Sequence, residues 1–155
     1  MKVFETDDEM LLVCGRLLNL YPEKFSHIDP EDLYVVRDVS SEKSRKYADT
    51  SLVQTWLFPL TAFRIMIRIY DCVFSCIDPK AQTMVMYHEL EHIRPVGIDD
   101  QDKKGKYKLR QHDVEDFSEM IINYNLHWAV RTDLPDLLAR TESKLWEEKK
   151  WDYKV

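Results

Sequence analysis

The sequence predicts an α+β fold in which a small mixed sheet packs on a buried helix and on further helices toward the C-terminus. Three observations carry this. Runs with the two-residue alternation of strands fall in the first half of the chain, whereas helical periodicity dominates the second. Between them lies a segment, residues 79–94, that is apolar on most of its circumference, as a helix buried in a core must be. The 155 residues are 45% hydrophobic with three glycines, and neither a repeat nor a Pro/Gly linker divides them, so residues 1–155 read as one folded domain.

The elements follow in order. Thr6 and Glu9 have capping-box spacing, and Met10, Leu11, Cys14, Leu17 and Leu18 recur at helical period, so a helix is expected there, ended by Tyr21-Pro22. His27 reads as a surface loop residue. "DLYVVRD" (32–38) is rich in β-formers and reads as a strand. "SSEKSRK" is a polar connection, and residues 47–60 are ambiguous, with Pro59 forbidding a continuous helix. In residues 63–70, Phe63, Ile65, Ile67 and Ile69 alternate with Arg64, Met66, Arg68 and Tyr70, which predicts a strand with one buried face. Asp78 is a suitable N-cap and Pro79 a suitable first residue for the central helix, and Pro95 and Gly97 are its stop. "GIDDQDKKGKYKLRQ" (97–111) reads as a charged loop, "HDVEDFSEMIINYNLHW" (112–128) as a helix, and residues 132–150 as a last helix with Pro135 near its start and Leu134, Leu137, Leu138 and Leu145 as its stripe.

Bulk properties narrow the function. A formal net charge of -6 argues against a protein that coats nucleic acid, which needs a basic surface. No apolar run is long enough to span a membrane, and the acidic "MKVFETDDEM" is not a signal peptide. Cys14, Cys72 and Cys76 make an odd set without framework spacing, so they read as reduced thiols in a cytoplasmic protein. Cys72 and Cys76 could face one another on a helical turn and bind metal, but no second pair or nearby histidine completes a set, and core packing is expected. The oligomeric state is left open.

The residues that carry chemistry lie in "MYHELEHI" (86–93). His88 and His92 are one helical turn apart and project from one face, within reach of one ion. Imidazole suits Zn2+. Glu89, about 100° round the helix from His88, is placed to act on a zinc-held water as general base, which is the logic of H-E-x-x-H. Two histidines and a glutamate in an apolar helix are costly to bury without partners, and a metal removes that cost. The bland reading is two hydrogen-bonded core histidines. A catalytic zinc needs a third protein ligand. The metzincin extension fails, because its glycine and histidine positions hold Pro95 and Ile98. The later histidines are His112, which opens a helix, and His127, which suits a local hydrogen bond. His112 is the first candidate, and Glu115 or Asp116, a turn further on, is the carboxylate alternative.

"MYHELEHI" followed by "LRQHDVEDF" resembles phage-type metallopeptidases and is similar in pattern to SprT-like zinc proteases, with His112, Asp113 and Phe117 in the second motif. The resemblance reaches back through "KYADTSLVQTW" and "FRIMIRIY", covering roughly residues 45–125. It implies a zincin-like fold with residues 79–94 as active-site helix, His88, His92 and His112 as zinc ligands, and Glu89 as base. It also implies a peptide or protein substrate laid along an edge strand, for which residues 63–70 are a candidate, although the expected reading of that stretch is an ordinary sheet strand with two solvated arginines. No C-terminal cysteine ribbon or DNA-binding extension of the kind SprT-like proteases often carry is expected. The expected function is therefore a zinc-dependent peptidase. The alternative is a regulatory or interaction protein whose zinc is structural. Asp113 and Asp116 could orient a ligating histidine or merely complement a helix N-terminus. "KKGKYK" reads as a solvated loop that could move over the site.

Overall fold

The computed structural model describes residues 2–40, 44, 46–96, 106–110 and 134–140. The helices expected over 112–128 and beyond residue 140 lie outside the described residues. The elements are β1 (Phe4–Thr6), α1 (Asp8–Leu20), α2 (Pro22–Phe25), β2 (Leu33–Asp38), β3 (Ala48–Leu52), β4 (Ile65–Tyr70), α3 (Asp71–Phe74), α4 (Pro79–Glu91), β5 (Ile93–Pro95) and β6 (Tyr107–Leu109). The α+β expectation is met, with a small mixed sheet against helices.

Four strands form one sheet in the order β1-β2-β4-β3. β1 runs antiparallel to β2, β2 parallel to β4, and β3 antiparallel to β4. Ile65, Ile67 and Ile69 on β4 are fully buried, with Leu33 and Val35 of β2 beside them. α1 and α4 pack on each other and cover this face, α1 against β2 and α4 against β3. The alternation read for residues 63–70 is therefore present. The stretch is the ordinary sheet strand of the plainer reading, and the alternative of a substrate-binding edge strand fails. β4 has β2 on one side and β3 on the other, so both of its hydrogen-bonding edges are used. The edge beside α4 belongs to β3, which occupies the stretch that was ambiguous in sequence, followed by a 3-10 turn at Thr55–Leu57.

α1 starts on Asp7 rather than Thr6. Asp7 Oδ1 accepts from the Met10 N–H at 3.0 Å, and Oδ2 accepts from Arg37 Nε at 2.7 Å. Thr6 is occupied as the last residue of β1, paired with Val36. Arg37 also donates to Asp71 at 2.7 Å, so one guanidinium ties the start of α1 to the turn after β4. Cys72 and Cys76, expected in the core, are exposed on that turn, and only Cys14 is buried. The single turn of α3 buries Phe74 instead.

α4 begins as expected, with Asp78 accepting from the Lys80 N–H at 3.0 Å and Pro79 in its first turn. It ends at Glu91, not residue 94. Ile93–Pro95 leaves the helix to pair with Tyr107–Leu109, so the last part of the expected charged loop is a strand. The bias of Arg94 toward extended backbone, imposed by Pro95, favours that exit. The described part of the expected last helix is not helical either: residues 134–136 are irregular and Leu137–Ala139 is a 3-10 turn capped by Asp136. Leu134 and Leu137 are buried, and the Leu137 carbonyl accepts from the Tyr21 hydroxyl at 2.9 Å, which docks this segment at the end of α1. Among the described residues no helix is long and apolar enough to cross a membrane.

Candidate metal centre

The last turns of α4 carry the polar residues of the motif inside the core. Ala81, Met84, Val85, Met86 and Leu90 bury the rest of the helix, and Tyr87 packs edge-on against Tyr21 and Phe25, as a core aromatic. Helical spacing then puts His88 and His92 one above the other. Their rings lie 5.1 Å apart between centroids and cross at 80°. His88 is 9% exposed and Glu89 4%, so the site is sunk in the protein beneath the sheet edge.

His88, Glu89 and His92 each offer a ligand atom, and these atoms all lie within 4.8 Å of one another. Two nitrogens on one tetrahedral zinc stand about 3.4 Å apart, so the group is of the span one ion requires. His92 is oriented by the ribbon that follows it, the antiparallel pair β5–β6 with Arg110 at its end. Its Nδ1 lies 2.8 Å from the Arg110 carbonyl, which can only accept, so Nδ1 carries the proton and Nε2 presents its lone pair. The Arg110 N–H in turn donates to the His92 carbonyl at 2.6 Å. One residue of the ribbon thus brackets both the ring and the main chain of His92. Two imidazoles on one helical turn, with a carboxylate beside them, suit a divalent metal such as zinc.

Glu89 reaches toward the same space. Its Oε2 lies 4.0 Å from His92 Nε2 and accepts from the Thr50 hydroxyl at 2.7 Å. Burial holds its carboxyl above the usual carboxylate range, and the nearby His88 and the Thr50 hydrogen bond pull the other way. A bound cation would pull it down further. A buried carboxylate with a raised proton affinity is suited to receive a proton and give it back.

The ribbon is anchored below the site. The Tyr107 hydroxyl donates to Asp32 Oδ2 at 2.6 Å and accepts from the Asp29 N–H at 3.0 Å. His27 is half-buried, not a surface loop residue: its Nε2 lies 2.8 Å from the Ile93 carbonyl and holds β5 in place. Next to the ribbon, Glu91 and Arg110 approach to 3.8 Å in a cleft that Lys24, Phe25 and Arg94 also line.

The structure therefore brings together His88, Glu89 and His92. The candidates for third ligand, His112, Glu115 and Asp116, lie outside the described residues, as do Asp113 and His127. Three contributors to the site were not anticipated. The Arg110 main chain and His27 carry no sequence signal, because their roles depend on a distant strand pairing. Thr50 had one: Ala48, Thr50 and Leu52 alternate with Asp49 and Ser51 at strand period.

Neither a curated protein nor a solved structure matches the chain. The family description "Putative phage metallopeptidase" matches residues 5–141, which takes in all of the sheet but Phe4, together with α4, β5 and β6. The chain belongs to this phage metallopeptidase family.

Proposed function

We propose that the protein is a zinc-dependent peptidase of cytoplasmic location that cleaves peptide or protein substrates. The observation that carries this is the convergence of His88, Glu89 and His92 within 4.8 Å inside a buried helix. His88 and His92 are two ligands. His112 is the third, by chain reach. It lies two residues, at most about 7 Å, beyond Arg110, whose carbonyl is 2.8 Å from the His92 ring. Glu115 and Asp116 are the carboxylate alternatives a turn later. Bound there, zinc would acidify a water and polarise the substrate carbonyl.

Glu89 does the proton work. It takes a proton from the attacking water as the oxygen bonds to the carbonyl carbon. It then delivers that proton to the amide nitrogen as the C–N bond breaks, leaving a carboxylic acid and an amine. The substrate's extended backbone runs along β3. The bonds from Tyr70 N–H to Tyr47 O and from Val53 N–H to Arg64 O bracket the β3–β4 pair. By antiparallel alternation, residues 47, 49, 51 and 53 face β4, and Ala48, Thr50 and Leu52 turn their main-chain groups to the other edge, with which no strand pairs among the described residues. An added strand can pair with these groups. The two exposed cysteines support a reducing compartment.

The test is metal content by elemental mass spectrometry on tag-free protein, with His112→Ala and Glu89→Gln alongside, and hydrolysis of an unfolded protein substrate. The expected result is one zinc per chain, strong loss in His112→Ala, and retained zinc without turnover in Glu89→Gln. Zinc retained in His112→Ala moves the third ligand to Glu115 or Asp116. Zinc that raises stability while wild type and Glu89→Gln are equally inactive makes the metal structural. No zinc in the wild type after zinc is added back refutes the proposal.

A further inference from the structure

Glu89 is held from outside its own helix. Thr50 stands on β3, 39 residues away in sequence, and its side chain shares a face with Ile67, the face that α4 covers. Its hydroxyl is 2.7 Å from Glu89 Oε2 and 3.2 Å from the Glu89 carbonyl oxygen. The oxygen it holds is the one that looks toward the ligands, 4.0 Å from His92 Nε2. A hydroxyl carries one proton, and a carboxylate accepts only, so Thr50 donates and Oε2 is fixed. Without that bond the glutamate chain can rotate, and at this distance from a ligand nitrogen its carboxylate can enter the coordination shell of a metal held by His88 and His92.

We propose that Thr50 is a positioning residue that pins the Glu89 carboxylate beside the metal and keeps it from becoming a metal ligand. The inference rests on the peptidase reading above. It adds a second consequence of the same residue. Thr50 turns its own N–H and C=O to the outer edge of β3, which no strand pairs with among the described residues, so the residue that would pair with a docked peptide also sets the place of the base. Base and substrate backbone are thereby referenced to one Cα, which is the kind of support a catalytic group needs to be held to a fraction of an ångström.

The experiment compares Thr50→Val, which keeps the shape and removes the hydroxyl, with Thr50→Ser, which keeps the hydroxyl, in the full chain loaded with cobalt(II). Thr50→Val is expected to lower kcat about 10–100-fold with KM changed less than about twofold, and Thr50→Ser to restore most of it. In the cobalt absorption spectrum, Thr50→Val is expected to weaken the d–d bands as Glu89 adds a ligand, and Thr50→Ser to leave them unchanged. In a Glu89→Gln background, Thr50→Val should leave the bands as they are. Wild-type kcat and spectrum in Thr50→Val overturn the proposal. So does a spectral change that persists in the Glu89→Gln background, because the effect then does not pass through Glu89. A protein whose spectrum follows Thr50 and Glu89 as stated but which cleaves no peptide refutes the peptidase reading and leaves the positioning role standing. A protein that binds no cobalt refutes both.

Discussion

Replacing Tyr107 by phenylalanine removes one oxygen atom and tests whether the ribbon that orients His92 is anchored as the structure indicates. The hydroxyl is buried with its partner: Tyr107 is 7% and Asp32 8% exposed. It gives a 2.6 Å hydrogen bond to the Asp32 carboxylate and receives one of 3.0 Å from the Asp29 N–H. A hydrogen bond to a charged group contributes about 1.5–3 kcal/mol, and a neutral one about 0.5–1.5 kcal/mol. The Lys106 ammonium, 3.6 Å from Asp32 Oδ2 but largely exposed, offsets little of the loss. Tyr107→Phe should therefore cost about 2–4 kcal/mol in urea unfolding of the metal-free protein, or roughly 5–15 °C in Tm. A second readout is alkaline. Burial, and then the Asp32 carboxylate, push the Tyr107 hydroxyl up to about 12. A raised folded-state pKa gives stability that is complete below the unfolded value, near 10 for tyrosine, and is lost as pH rises toward the folded one. The wild type should lose stability over that window and the variant should lose less. A cost below about 0.5 kcal/mol, or an alkaline limb identical in the two proteins, would refute the anchoring. Because the same ribbon carries the Arg110 main chain, a fall in zinc affinity of up to about tenfold should accompany the loss.

Two further outcomes follow from burial and from linkage. Thiol labelling of the native protein should modify Cys72 and Cys76 quickly and Cys14 only on unfolding, since burial pushes the Cys14 thiol up to about 12 and leaves it fully enclosed; quantification by intact mass checks this, and rapid reaction at all three would contradict the packing of α1 on α4. Chelation should lower the Tm of the metal-loaded wild type, by an amount matching about 4 kcal/mol at a thousandfold excess of free metal over Kd, and should leave a His92→Ala variant nearly unchanged, as read by calorimetry with and without chelator.

Where α4 lies, how it starts and which of its residues can meet at one ion were legible in the sequence. All three are short-range consequences of an N-cap, a proline and a spacing of four. The buried face of β4 was legible for the same reason, because alternation is local. What surrounds the motif was not. Whether β4 is an edge depends on where β3 inserts, and β3 is drawn to that position by pairing across a connection of 12 residues between Leu52 and Ile65. Tyr107–Leu109 sits in a run of charges, and only its pairing with Ile93–Pro95 makes it a strand that reaches His92. Cys72 and Cys76 have the spacing of a helical face, but the turn that carries them spends its one buried position on Phe74. Composition and periodicity alone thus determined the helix, its two histidines and the chemistry they suit. The tertiary structure decided what holds them: a carbonyl from Arg110 and a hydroxyl from Thr50, contacts between segments far apart in the chain that no local pattern encodes.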